Sequence, residues 1–117
     1  MFADRSIEFV KGLPDSMISR RLGAQYLDAA TSVAANYRAA RRGRSHDEFT
    51  AKLGLVSEEA DESVFWLERM ASAGIVGSEP PASLLQEALE LAKIFYASSR
   101  TARSRRRKRR DGDPVPR

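Results

Sequence analysis

Four carboxylates fall within five consecutive positions, at Glu58, Glu59, Asp61 and Glu62, the densest set of potential metal-binding or proton-transfer groups in the chain. Helical bundles do build di-metal sites from such groups, but with Glu-x-x-His pairs on facing helices. The chain has no Glu-x-x-His and a single histidine, His46. That histidine sits in a helix-start sequence, Ser45-His46-Asp47-Glu48, without the nucleophile and orienting group that a triad requires. The absence of cysteine removes thiol catalysis, disulfides and Cys-based zinc sites together. No glycine-rich phosphate loop or nucleophile motif is present. The chemistry expected is therefore not enzymatic: no catalytic residue, no metal and no cofactor, with the acidic group facing solvent or meeting arginines.

The arginines offer a different chemistry. Residues 103–117 hold eight cations (Arg103, Arg105, Arg106, Arg107, Lys108, Arg109, Arg110 and Arg117) against Asp111 and Asp113. The preceding 102 residues hold twelve basic and fourteen acidic side chains, so the body is mildly acidic and the tail strongly basic. A block of this kind repels itself and has little to bury, which predicts a solvated, disordered arm over 103–117 beside a folded domain over 1–102. Its natural partner is a polyanion, because each neutralised phosphate releases counterions; full pairing of the net tail charge with duplex would give a salt slope near about −5. A second concentration, Arg38, Arg41, Arg42 and Arg44, closes a helical segment, where it complements the helix dipole or extends a phosphate-binding surface. The alternative for the tail is a solubilising role.

The elements that must position these groups all read as helix. A short first helix is expected over Asp4 to Lys11, with Ile7 and Val10 on one side, ending at Gly12-Leu13-Pro14. A second, from about Asp15 to Arg42, carries Leu22, Tyr26, Ala29, Val33, Asn36 and Ala40 at steps of four and three. Gly43 follows as a stop. Asn36 is a polar residue on that seam, of the kind that fixes register. The third opens on a Ser45–Glu48 capping box and runs through Phe49, Leu53, Val56, Ala60, Val64 or Ser63, Leu67 and Met70 to Gly74. The fourth starts near Pro80-Pro81-Ala82-Ser83, with Ser83 and Gln86 as a second capping box. Leu84, Ala88, Leu91, Phe95 and Ser98 or Ser99 then carry its seam to about Ala102. Helices of up to roughly 40 Å with short connections specify an all-α, up-down antiparallel four-helix bundle.

The third helix carries apolar residues its core stripe does not use. Leu55 and Trp66 lie about 100–120° from the stripe's centre, and Phe65 lies nearly opposite it. With Tyr37 of the second helix, these residues are the expected oligomer interface, since aromatics off the core arc mark subunit contacts.

Several ordered motifs resemble a known family. They are Ala29-Ala30-Thr31-Ser32-Val33-Ala34-Ala35-Asn36-Tyr37-Arg38, then Glu48-Phe49, Lys52-Leu53-Gly54-Leu55-Val56, Glu58-Glu59-Ala60-Asp61-Glu62 and Phe65-Trp66-Leu67-Glu68. Leu13-Pro14, Leu22, Gln25 and the run Leu84-Leu85-Gln86-Glu87-Ala88-Leu89-Glu90-Leu91 fall in the same order. Together, over about residues 5–100, they resemble the bacterial four-helix-bundle family first noticed as proteins encoded in intervening sequences of large-subunit ribosomal RNA genes. The resemblance implies a ring-forming bundle, typically a homopentamer. It also implies likeness in fold to accessory proteins of diversity-generating retroelements, which bind nucleic acid and a reverse transcriptase. Many members have Ala-Asn-Ile-Ala-Glu-Gly where this chain has Ala35-Asn36-Tyr37-Arg38-Ala39-Ala40, so a role carried by that glutamate does not transfer.

The expectation is a non-enzymatic homo-oligomer, pentameric by resemblance, that binds RNA or DNA through backbone phosphates. Binding would use Arg38, Arg41, Arg42, Arg44 and residues Arg103, Arg105, Arg106, Arg107, Lys108, Arg109 and Arg110. The alternative is a scaffold that docks a protein partner on the outer face around Leu55, Phe65 and Trp66. Neither the charged start of the chain, Met1 to Glu8, nor any later segment offers a signal core or a membrane span, and cytoplasmic localisation without membrane contact is expected.

Overall fold

The computed structural model describes residues 1–77 and 81–110. It contains four helices, α1 (Phe2–Lys11), α2 (Met17–Arg41), α3 (His46–Ser72) and α4 (Ala82–Arg110), and no strand among the described residues. The helices run alternately up and down. α2 and α4 each flank α3, α1 lies against α2 and α4, and the diagonal pairs α1/α3 and α2/α4 make no backbone approach among the described residues. The architecture is therefore the expected four-helix bundle, with one helix less than half the length of the others.

Local chemistry sets the helix starts. Ser16 caps α2, accepting from the Ser19 backbone N–H at 3.1 Å, so the helix begins two residues later than Asp15. Ser45 caps α3 in the same way through the Glu48 N–H at 3.1 Å, and Glu48 accepts in return from the Arg44 N–H at 2.8 Å. This is the predicted capping box shifted by one donor. The second box does not form. Ser83 already lies inside α4, where its hydroxyl accepts from Arg5, and Gln86 donates to Glu90 at 3.3 Å. Pro80 lies outside the described residues.

The stops differ in mechanism. At Gly74 the backbone is left-handed (φ 76°), and the Gly74 and Ile75 N–H groups bond back to the Ala71 and Met70 carbonyls at 3.0 and 3.2 Å. That is a Schellman closure, and glycine is the residue that adopts it without strain. Gly43 does not use its φ freedom. It lies where a Cβ would come within 3.2 Å of the Ala40 carbonyl oxygen, so the turn needs its small size.

The core follows the predicted seams of α2 and α3 closely. Tyr26, Ala29, Val33 and Ala40 are buried, as are Leu53, Val56, Ala60, Ser63, Val64, Leu67 and Met70. Asn36 departs from its expected role: its amide donates to the Ser32 carbonyl of its own helix at 3.0 Å rather than reaching a neighbour. α1 divides the expected pair: Val10 packs against the core and Ile7 does not. Phe2 and Ser6 are buried while Ile7 is exposed, because Ser6 is drawn inward to the Tyr26 hydroxyl and Phe9 packs edge-on against the Tyr26 ring.

The basic segment is the main difference from the sequence reading. α4 does not fray at Ala102 but continues as helix to Arg110, and residues 111–117 lie outside the described residues. Arginine and lysine rank among the better helix formers, and no glycine or proline intervenes before Gly112. Propagating a helix already nucleated and packed is much easier than starting one, which offsets like-charge repulsion over these turns.

Candidate nucleic-acid interface

Because α2 and α4 both run antiparallel to α3, their C-termini lie at the same end of the bundle. A small apolar cluster of Ala40, Leu53 and Ala102, flanked by Phe95, ties the three helices together there. His46, the first residue of α3, adds a polar tie: its Nε2 lies 3.0 Å from the Ala102 carbonyl oxygen. The one histidine thus joins two helices instead of standing free in the cap. Residues 103–110 continue past this contact for about 12 Å of helix.

Both predicted basic groups converge on this end. Arg38, Arg41, Arg42 and Arg44 are exposed, as are Arg103, Arg105, Arg107 and Lys108. Arg106, Arg109 and Arg110 belong to the helix, but their side chains lie outside the described part, as does Arg117. The ion pairs formed among the described residues, Arg5–Glu87, Lys11–Glu8 and Arg20–Asp15, lie along α1 and its turn into α2.

Among the described residues, two of the concavities at the basic end hold aromatic side chains. In one, of about 480 Å³, Arg38, Arg41 and Arg42 surround Tyr37 and Ala34 beside Met1, where the short α1 begins. The other, of about 420 Å³, runs between α3 and α4, with His46, Phe49 and Leu53 facing Ser98, Ala102 and Arg105. Phe49 belongs to the core stripe of α3 yet is 36% exposed. α1 makes no approach to α3 that would shield it. Along α4, the exposed Arg100, Arg105 and Lys108 alternate with Thr101 and Ser104 on one face. Arg103 instead lies over α3, its Nη2 crossing Gly54 so closely that a Cβ there would meet it at 3.1 Å.

The expected interface residues divide. Leu55, Phe65 and Tyr37 are exposed, Phe65 to 48%, with the Arg69 guanidinium 5.2 Å from its ring centre. Trp66 is exposed only in part. It packs partly buried against the core, its enclosed Nε1 without a hydrogen-bond partner among the described residues, and meets Phe65 edge-on at 4.9 Å. Its spacing sets it off the α3 stripe, and the neighbouring helices decide how far it is covered.

The acidic group forms no ligand set: among the described residues no three His, Asp or Glu side chains gather as they would around a metal ion. Burial pushes the Glu59 carboxyl above its ordinary range, and repulsion from Glu62, Glu58 and Asp28 adds to this. These carboxylates load one face with negative charge beside α2. No described helix is long and apolar enough to cross a membrane.

Tyr96, outside the expected site, stands 58% exposed with Arg100 at 5.9 Å. A signal was available: an aromatic residue followed four positions later by arginine recurs at Tyr37–Arg41, Phe65–Arg69 and Tyr96–Arg100. No protein-family model, curated protein or solved structure matches this chain.

Proposed function

We propose that this protein is a non-enzymatic, oligomeric helical bundle that binds nucleic acid through backbone phosphates at its basic end. The observation that carries the reading is the convergence of α2 and α4, which places Arg38, Arg41 and Arg42 at the same end as Arg103, Arg105, Arg107 and Lys108. Guanidinium groups on two parallel helices can meet successive phosphates in a planar, bidentate way. Affinity of this kind is electrostatic, tolerant of sequence and steeply dependent on salt.

The ring assembly, a homopentamer by resemblance, would multiply this end around an axis and raise avidity without new contacts. Exposed Leu55 and Phe65 supply the apolar surface for it. Light-scattering mass with and without a labelled RNA oligomer, at low and high salt, tests both parts. A multiple of the chain mass with salt-sensitive binding supports the proposal, and a monomer refutes the ring. Replacing Arg105, Arg107 and Lys108 with glutamine should lower the salt slope by about 1 for each cation that pairs with a phosphate.

A second reading is favoured by Phe65, whose half-exposed ring stands on α3 beside the half-buried Trp66. It makes this outer face a docking site for a protein partner. A ring that ignores RNA at low salt would favour it.

A further inference from the structure

The basic end is not a purely cationic surface, because aromatic rings stand exposed among its arginines. Tyr37 on α2 is 42% exposed, with the Arg41 guanidinium 5.9 Å from its ring centre. Tyr96 on α4 repeats the arrangement with Arg100 at the same distance. On α3, Phe49 opens into the groove that Arg105 borders. A surface that only neutralised phosphates would have no use for these rings, and leaving them in water forgoes the free energy of burying them.

Duplex nucleic acid would not use them either, since its base faces are stacked inside and its outside presents phosphate and sugar. A single strand presents both phosphates and free base faces. Every base has a π-face, so stacking on tyrosine or phenylalanine tolerates any sequence, and a neighbouring guanidinium adds a cation–π contribution. In both tyrosine pairs the arginine already lies near the ring, close enough to hold a base against it or to turn to the adjoining phosphate.

We propose that the ligand of the basic end is single-stranded nucleic acid, with unstacked bases lying on Tyr37 and Tyr96 while the arginines hold its phosphates. This rests on the reading that the basic end binds nucleic acid, and it narrows the ligand class. Phe49, in its groove between α3 and α4, offers a third stacking position.

The test is fluorescence anisotropy with the full chain across a salt series. The probes are labelled single-stranded RNA and DNA, duplexes of equal phosphate count, and polyphosphate as a competitor without bases. The expected result is binding of the single strands about tenfold or more tighter than of the duplexes, with polyphosphate a weaker competitor per charge. Tyr37→Leu and Tyr96→Leu should each weaken single-strand binding by about fivefold or more at every salt concentration, with the salt slope unchanged. Arg41→Gln should instead reduce that slope by about 1. Tyr37 also touches Phe95, so Tyr96→Leu, a substitution at a well-exposed position, guards against loss of folding. Equal binding of duplex and single strand, with Tyr96→Leu at wild-type affinity, overturns the stacking proposal and leaves the phosphate reading standing. Absence of binding to every probe at low salt overturns both.

Discussion

The ring of Tyr37 meets the ring of Phe95 edge-on, their centres 5.4 Å apart, although the backbones of α2 and α4 do not approach one another. The pair spans the diagonal of the bundle near the start of α1. Phe95 also packs against both core clusters, so it joins the long core to the small one at the basic end. Phe95→Ala should therefore cost about 2–3 kcal/mol, below the roughly 3–5 typical of a wholly buried phenylalanine. Urea unfolding measures this, and hydrogen exchange should show the loss of protection concentrated in the last turns of α2.

The helical basic segment predicts a salt response opposite to that of binding. Its arginines and lysine recur at three- and four-residue spacings from Arg100 to Arg110, and each such like-charge pair opposes helix by about 0.2–0.5 kcal/mol. Added salt screens this repulsion. Ellipticity at 222 nm should become more negative as salt rises, and a chain with Arg105, Arg107 and Arg109 changed to glutamine should lose the response.

Ser6 Oγ and Tyr26 Oη lie 2.6 Å apart in the core, out of reach of solvent. Tyr26→Phe leaves the Ser6 hydroxyl without a partner and should cost about 1–3 kcal/mol. Combining it with Ser6→Ala should recover much of the loss. Burial raises the Tyr26 pKa above the ordinary 10.0, against the lowering effects of the Ser6 hydrogen bond and the Arg5 charge. The folded state thus holds this proton more tightly than the unfolded chain does. Its contribution is complete below about pH 10 and is lost as pH rises through the folded-state value. Tyr26→Phe should flatten the alkaline fall of stability, as thermal melts across about pH 8–12 would show.

Gly54 lies in the middle of α3, where glycine weakens a helix. A Cβ there would meet only the Nη2 end of Arg103 at 3.1 Å and Ser99 Oγ at 3.7 Å. A flexible guanidinium can yield by a few tenths of an ångström. Gly54→Ala should stabilise the protein by up to about 1 kcal/mol, read from the denaturation midpoint. A decrease instead would show that the position of Arg103 across α3 is itself part of the packing.

The residues that built the helices were legible because their signals are local. The steps of four and three from Tyr26 to Ala40 and from Leu53 to Met70 became the buried faces. Ser45 and Gly74 marked the ends of α3, because a capping hydroxyl and a left-handed glycine act within one turn of chain. Expectation and structure part where a distant partner decides the outcome. Ile7 faces out because Ser6 is held by Tyr26, twenty residues away, and Ser83 caps nothing because it sits inside α4 and accepts from Arg5. Trp66 is partly covered by the packing against the core, which the spacing within α3 alone does not contain.

By itself, then, the sequence determined four helices, their apolar seams, and a mildly acidic body with a strongly basic end segment. Those properties follow from side-chain spacing and backbone preference over a few residues. Only the tertiary structure decided that Arg38, Arg41 and Arg42 share one end with Arg103, Arg105, Arg107 and Lys108, and that Tyr37, Phe49 and Tyr96 stand exposed among them. Which ends and faces meet is fixed by the packing of helices far apart in the chain, and here by a first helix too short to cover the end where the arginines gather.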